Sequence, residues 1–175
     1  MRIMLKLPKR KNNRLEGYDY SSAGCYFITI CVKNRHEILW DVPVGAAIGR
    51  PPHAVSPVLS EIGVIIDEGI KKIERIYDNA QVNRYVIMPN HVHILITLEK
   101  TEGSGRPMAA PTMSRIINQL KGSTSKQIGF SIWQKLYHDR IIRNADEYNR
   151  IAEYIESNPA NWKDDCFYPA NREKN

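Results

Sequence analysis

Cysteine is scarce in this sequence of 175 residues, where it occurs only at positions 25, 31 and 166. The odd number excludes a complete disulfide framework, and the spacing matches no metal-binding cysteine motif. We therefore expect three reduced thiols that are mostly buried.

Long apolar runs are also absent, since no stretch approaches the roughly 18–20 residues that a membrane span requires. The N-terminal stretch MRIMLKLPKRKNNR is basic but lacks the apolar segment and the small-residue cleavage site of a signal peptide. These absences predict a cytoplasmic protein without a membrane partner.

Positive charge, in contrast, is abundant: 25 lysines and arginines against 19 acidic residues give a net charge of +6. Much of the excess lies in a basic tail over residues 1–16 and in a second region from Arg115 to Arg150. Such clusters suit a polyanion such as nucleic acid, and surface charge that keeps the protein soluble is the alternative explanation.

Apolar periodicity predicts the order of helices and strands. Residues Cys25–Lys33 are rich in β-branched and aromatic side chains, and Gln81–Leu98 contains two strand-like runs around a Pro-Asn turn. Helical spacing predicts helices over 59–77, 113–127 and 145–157, with Thr112 capping the second helix and an Asn144–Glu147 capping box before the third. Glycine and proline predict loops over 41–58 and 99–111.

This order predicts an α+β fold: a ferredoxin-like antiparallel sheet with helices packed on one face, followed by a C-terminal helix. We expect a single domain over residues 1–175.

Two histidines stand out in the apolar stretch PNHVHILI. Side chains alternate along a strand, so His91 and His93 share one face of the sheet while Val92 lies on the other. An imidazole pair in this position either ligates a divalent metal through neutral ring nitrogens or is held in hydrogen bonds. The spacing alone does not decide between the two.

A third metal ligand is best sought on the last predicted helix. Tyr154 and Asn158 are four residues apart, and this spacing puts them on the same face of a helix, next to the stripe that should pack on the sheet. Alternatively, Tyr154 is a half-buried aromatic residue and Asn158 is the helix C-cap.

Three segments, CYFITICVKNR, MPNHVHILI and WQKLYHDRIIRNADEYNRIAEYIESNPANW, closely resemble the REP-associated tyrosine transposases. These are single-tyrosine members of the HUH nuclease superfamily and relatives of the smallest insertion-sequence transposases. The resemblance runs from about Gly17 to Trp162, outside the two loops. A His-hydrophobic-His motif followed at this distance by Tyr-x-x-x-Asn-Pro is far more specific than either motif alone.

The resemblance implies that His91 and His93 are metal ligands, that Asn158 is the third ligand, and that Tyr154 on its helix is the catalytic nucleophile. It implies Mg²⁺ or Mn²⁺ as cofactor, and a metal-dependent endonuclease and strand transferase that cuts single-stranded DNA near hairpins through a 5′-phosphotyrosine intermediate. From the ligand type we also expect Mn²⁺ to bind at least as well as Mg²⁺.

Basic side chains near the predicted site are candidates for contacts with the DNA backbone. The candidate DNA-binding residues are Arg140, Arg143, Lys121, Arg10 and Lys11. An ion pair with Asp139 or Asp146 is the alternative for the two arginines. Trp133 and Tyr137 either stack on bases or anchor the core, and His138 is a candidate base for the phenol.

Other functions stay open at this point. A ferredoxin-like module that binds nucleic acid without cutting it is one alternative, and a replication initiator or relaxase of the same superfamily is another. A nucleoid-associated protein is expected, as a monomer or a homodimer.

Overall fold

A four-stranded antiparallel sheet lies at the centre of the part of the chain that the computed structural model describes, residues 22–41, 58–100 and 112–174. The strands in chain order are β1 (Gly24–Cys31), β2 (Trp40–Asp41), β3 (Val58–Leu59), β4 (Ala80–Met88), β5 (His91–Leu98) and β6 (His138–Ile142). The central sheet has the order β4-β5-β1-β6, and β2 pairs with β3 separately. All neighbouring strands run antiparallel, and this order confirms the predicted ferredoxin-like α+β fold.

Four α-helices accompany the sheet in the described residues. They are α1 (Glu61–Lys71), α2 (Ile73–Ile76), α3 (Met113–Ile128) and α4 (Ala145–Ser157). Short 3-10 turns cover Lys33–Arg35, Trp162–Asp164 and Pro169–Lys174.

The register of β1 against β5 divides the sheet into two faces. Ile28 lies opposite Ile94 on one face, which we call the core face, and both side chains are fully buried. Thr29 lies opposite His93 on the other, which we call the histidine face. Because alternate residues point to opposite sides, the whole strand pair follows this division.

Helices α1 and α3 supply the apolar side chains that cover the core face. Their buried residues in the core cluster are Ile66, Ile70, Met113, Ile116, Ile117 and Leu120. Both helices begin at a hydroxyl cap: Ser60 accepts from the backbone N–H of Gly63, and Thr112 accepts from that of Arg115. Helix α3 ends at Gly129, whose φ of 94° is the left-handed conformation that glycine adopts readily.

Helix α4 lies on the histidine face, where the side chain of Tyr154 contacts that of His93. Its N-cap is Asn144, as predicted, and the side-chain oxygen accepts from the backbone N–H of Glu147 at 2.8 Å. In a capping box, the Glu147 carboxylate would accept from the backbone N–H of Asn144. Here it accepts from the backbone N–H of Arg143 instead, one residue earlier.

Two elements of the structure have bounds that differ from those predicted from the sequence. The predicted helix over 59–77 begins two residues later, at Glu61, because Leu59 pairs with Trp40 in the small sheet. It is divided at Lys72 into α1 and α2. The predicted strand over 25–33 ends at Cys31, because residues 33–35 turn, with positive φ at Asn34 and Arg35.

The two aromatic residues for which the sequence left base stacking or core anchoring open belong to the core. Trp133 and Tyr137 are both buried, and the indole N–H of Trp133 donates to the hydroxyl of Thr124 at 3.0 Å. Neither side chain is therefore exposed for stacking on a base.

Several predicted segments fall outside the described residues. They are the basic tail over 1–16 and most of the two loops, residues 42–57 and 101–111. Within the described ranges, none of the helices has both the length and the apolar character needed to cross a bilayer.

Two helical glycines provide a paired test of the packing between α1 and the segment before β2. A Cβ on Gly63 would lie 2.3 Å from the backbone oxygen of Leu39, whereas one on Gly122 would meet nothing within 4 Å. We expect Gly63→Ala to lower the free energy of unfolding by about 1–3 kcal/mol, since backbone atoms cannot move aside cheaply. Gly122→Ala should raise it by up to about 1 kcal/mol, because alanine favours the helix. Urea unfolding measures both, and equal changes in the two variants would contradict this packing.

Candidate active site

His91 and His93 lie side by side on β5, and both side chains are buried. Their Nε2 atoms are 3.0 Å apart, and their ring centroids are separated by 4.5 Å. The apolar sequence around them places Val92 in the core and leaves both imidazoles on the histidine face. The predicted common face of the pair is therefore present.

Burial keeps both imidazoles neutral. Desolvation, reinforced by the positive charge of Arg35, lowers the pKa of His91 to about 3. Desolvation and the neighbouring His91 lower the pKa of His93 to about 3, although Asp165 acts in the opposite direction. Neutral rings carry an unprotonated nitrogen, which is the form that ligates a metal.

Tyr154 reaches the pair from α4. Its hydroxyl lies 3.3 Å from Nε2 of His93, and its ring meets Phe27 edge-on at 6.3 Å between centroids. The side chain is 40% exposed, so solvent and a substrate can approach it. The hydroxyl donates to Oδ2 of Asp165 at 3.2 Å. Burial and the Asp165 charge both raise the pKa of the phenol, so Tyr154 is protonated in this arrangement.

Asn158 ends α4, one turn after Tyr154, and its backbone N–H donates to the Tyr154 carbonyl at 3.0 Å. It is thus the C-cap, yet its side chain is only 3% exposed and neither amide atom makes a hydrogen bond of good geometry. The amide is nevertheless close enough to the phenol to oppose the rise of its pKa. A buried amide without partners is unfavourable, and a bound cation would relieve the oxygen.

Asp165 is a site residue that the sequence does not predict. Its Oδ2 lies 3.9 Å from Nε2 of His91, and ligand atoms of His91, His93 and Asp165 all lie within 4.8 Å of one another. Its Oδ1 accepts from the backbone N–H of Phe167 at 2.6 Å, which orients the carboxylate. The segment KDDCFYP has no periodicity that would distinguish Asp165 from the exposed Asp164 beside it.

Two further groups contact the far side of the histidine rings. Thr29 Oγ1 lies 2.9 Å from Nδ1 of His93, and Asn90 Oδ1 lies 2.8 Å from Nδ1 of His91. Phe167 packs against His91 with ring centroids 4.5 Å apart, and the guanidinium of Arg35 lies 3.9 Å above the Phe167 ring. Strand alternation in the sequence predicts which face of β1 carries Thr29, but it does not predict that Thr29 lies next to His93.

Strand β6 is the edge strand of the central sheet, next to β1. His138 is the cross-strand partner of Thr29, and Arg140 is the partner of Phe27, so both belong to the histidine face. The guanidinium of Arg140 pairs with Glu147 at 2.6 Å rather than with Asp139 or Asp146.

Of the remaining predicted DNA-binding residues, the structure describes Arg143 and Lys121, which lie on different elements. The side chain of Arg143 is exposed just before α4. The ammonium of Lys121 donates to the backbone carbonyls of Gln134 and Lys135, at 2.8 and 3.0 Å. Arg10 and Lys11 lie outside the described residues.

The donor set fits a divalent cation. The ligand atoms of His91, His93 and Asp165, two neutral imidazoles and one carboxylate, lie within 4.8 Å of one another, and the buried amide of Asn158 has no hydrogen-bond partner. Nitrogen and oxygen ligands suit Mn²⁺ and are compatible with Mg²⁺.

Comparison with known proteins places the chain in a family. No protein-family model matches the chain. An uncharacterized protein of Haemophilus influenzae is 30% identical over 177 residues, which cover 91% of this chain and 93% of that protein. The chain belongs to the same family as that protein.

Two further similarities confirm the resemblance to the REP-associated tyrosine transposases. One such protein of Escherichia coli is 24% identical over 142 residues, 80% of this chain and 68% of that protein. The solved structure of a REP-associated tyrosine transposase bound to a REP hairpin matches with a TM-score of 0.56 and 21% identity. That match covers 83% of this chain and 73% of the other, and it shows a common fold.

The depressed pKa values predict a pH-dependent stability. Because the folded pKa of each histidine lies near 3 and the unfolded value near 6.5, the unfolded state binds more protons between these limits. In a chelator, the free energy of unfolding should therefore fall as the pH decreases from 6.5, by up to about 1.4 kcal/mol per pH unit for each histidine. His91→Gln combined with His93→Gln should flatten this slope, whereas Tyr154→Phe should retain it. Urea unfolding at a series of pH values measures this dependence. If the free energy of unfolding of the double variant depends on pH as steeply as that of the wild type, the pH dependence does not come from His91 and His93.

Proposed function

We propose that the protein is a metal-dependent endonuclease and strand transferase that cuts single-stranded DNA near hairpins. The observation that carries the proposal is the 3.3 Å approach of the Tyr154 hydroxyl to Nε2 of His93, which joins a nucleophile to a metal-binding cluster. The relationship to transposases, one of them solved on a DNA hairpin, supports DNA as the substrate. The net charge of +6 supports a polyanionic partner.

We assign the metal to His91, His93 and Asn158. The first two offer neutral ring nitrogens, and the buried amide oxygen of Asn158 has no hydrogen-bond partner. When bound, Mg²⁺ or Mn²⁺ would supply Lewis-acid polarisation of a phosphate oxygen and would fix the scissile group in place.

Tyr154 is the nucleophile in this proposal. Its oxygen attacks phosphorus in line as the bond to the 3′-oxygen breaks, and the departing oxygen takes up a proton from solvent, which yields a 5′-phosphotyrosine and a strand ending in a 3′-hydroxyl. The phosphodiester bond is exchanged rather than hydrolysed, so a 3′-hydroxyl can reverse the reaction and join strands.

The phenol must lose its proton during the attack. Asp165 is our candidate acceptor, because its Oδ2 already accepts the hydrogen bond of the Tyr154 hydroxyl and its other oxygen is held by the backbone N–H of Phe167. We prefer it to His138, which lies on the edge strand β6.

The surface along the edge strand β6 offers a path for the DNA strand. Arg140 lies there beside Phe27 on the histidine face, and Arg143 precedes α4. Arginine is suited to phosphate, and the Arg140 side chain is 66% exposed in its pair with the buried Glu147, so a phosphate can approach the guanidinium. Lys121, Arg10 and Lys11 are proposed as further contacts along the backbone.

Covalent trapping tests the nucleophile. With labelled single-stranded DNA that carries a hairpin, and with Mn²⁺, the wild-type protein should form a protein–DNA adduct that survives denaturation. Tyr154→Phe should form none, because the attacking oxygen is missing. Tyr148→Phe, a change to another tyrosine of α4, is the matched control and should retain the adduct.

An adduct that persists in Tyr154→Phe would disprove this nucleophile. Binding of the hairpin without cleavage under any metal would instead favour the non-catalytic nucleic-acid-binding module.

Titration calorimetry with Mn²⁺ tests the metal ligands without DNA. Removing a ligand oxygen by Asn158→Ala should weaken binding by at least about tenfold. Asn161→Ala, at an exposed asparagine in the next turn, is the control and should bind as the wild type does. Equal affinities in the two variants would remove Asn158 from the ligand set.

A further inference from the structure

Asn90 has an unusual environment for a residue in a two-residue turn. It lies between β4 and β5, yet its side chain is fully buried, whereas hairpin turns normally lie at the surface. Its backbone carbonyl accepts from the N–H of Val32 at 2.9 Å. Its side chain lies between Nδ1 of His91 at 2.8 Å and the backbone carbonyl oxygen of Phe167 at 3.0 Å.

These two neighbours determine which way the amide points. The carbonyl oxygen of Phe167 can only accept, so the Asn90 atom that faces it is the NH₂ group. The atom that faces His91 is therefore the amide oxygen, which also can only accept. It follows that Nδ1 of His91 carries the proton, and the neutral ring leaves Nε2 with a free lone pair.

His93 has no such restriction. Its Nδ1 faces the hydroxyl of Thr29, which can donate or accept. The two Nε2 atoms are 3.0 Å apart, so either a proton or a cation must lie between them. A proton there belongs to His93, because Nε2 of His91 can only accept. A cation there requires His93 to move its proton to Nδ1 and the hydroxyl of Thr29 to turn.

We propose that Asn90 is a positioning residue, which holds His91 in the Nδ1–H tautomer so that its Nε2 always faces the cation, while Thr29 lets His93 change tautomer. The inference rests on the proposed metal site and deepens it: one imidazole is a fixed ligand and the other is adaptable. Asn90 and Thr29 do not touch the metal or the substrate themselves.

The first test is spectroscopic and uses the full chain in chelator at neutral pH. Long-range ¹H–¹⁵N correlation spectra distinguish the protonated from the bare ring nitrogen of each histidine. We expect His91 to show a protonated Nδ1 and a bare Nε2. A protonated Nε2 on His91 in the wild-type protein would overturn the proposal, with no variant required.

The second test uses variants and Mn²⁺ affinity measured by calorimetry. Asn90→Ala removes the acceptor, so His91 should populate both tautomers and the affinity should fall about tenfold or more. Asn90→Asp keeps an acceptor for Nδ1 but loses the donor to Phe167, and it should bind within about threefold of the wild type. If Asn90→Ala and Asn90→Asp lose affinity equally, the residue holds the turn to Phe167 and does not set the tautomer.

A matched pair of threonines tests the adaptable side. Thr29→Val should weaken Mn²⁺ binding, since valine cannot accept from Nδ1–H of His93. Thr97 lies on β5, on the same histidine face, but its hydroxyl donates to Asn83, so Thr97→Val should leave the Mn²⁺ affinity unchanged. Equal affinities in these two variants would refute the role of Thr29. If the wild-type protein fails to cleave DNA, only the proposed function is refuted, because the tautomer spectra and the Mn²⁺ affinities are measured without DNA.

Discussion

The antiparallel register between β1 and β5 is the constraint on which the rest of the protein depends. It sets Ile28 against Ile94 in the core and Thr29 against His93 on the opposite side. A slip by one residue would send both histidines into the apolar core and the isoleucines toward α4. Burial of the isoleucines under α1 and α3 therefore stabilises the same register that assembles the candidate site.

Burying two imidazoles next to each other is unfavourable unless each polar nitrogen has a partner. The protein meets this requirement with Asn90 and Thr29 behind the rings and with the 3.0 Å approach of the two Nε2 atoms, while Tyr154 and Asp165 lie in front of them. These partners come from a turn, a strand, a helix and the segment after that helix. The site is thus a product of the tertiary fold rather than of any single motif.

The sequence predicts the fold class well, because strand alternation and helical spacing are local properties. It also predicts the common face of His91 and His93, and it singles out Tyr154 and Asn158 by their spacing on one helix. Whether those two residues act as nucleophile and ligand stays a prediction. Asp165 and Asn90 could not be predicted, because an aspartate in an aperiodic tail and an asparagine in a turn are usually exposed. The backbone of Phe167 connects them across the fold, because its carbonyl accepts from the Asn90 amide and its N–H donates to the Asp165 carboxylate.

The division of the sheet into two faces has a consequence for how such a protein can evolve. The apolar cluster of the core lies on one side of the sheet, and Tyr154 of α4 lies on the other. Because Tyr154 is 40% exposed, its replacement should leave a stable domain with the same shape and charge. Under the proposed function, a lineage of this fold could therefore pass from cutting DNA to only binding it through a single substitution.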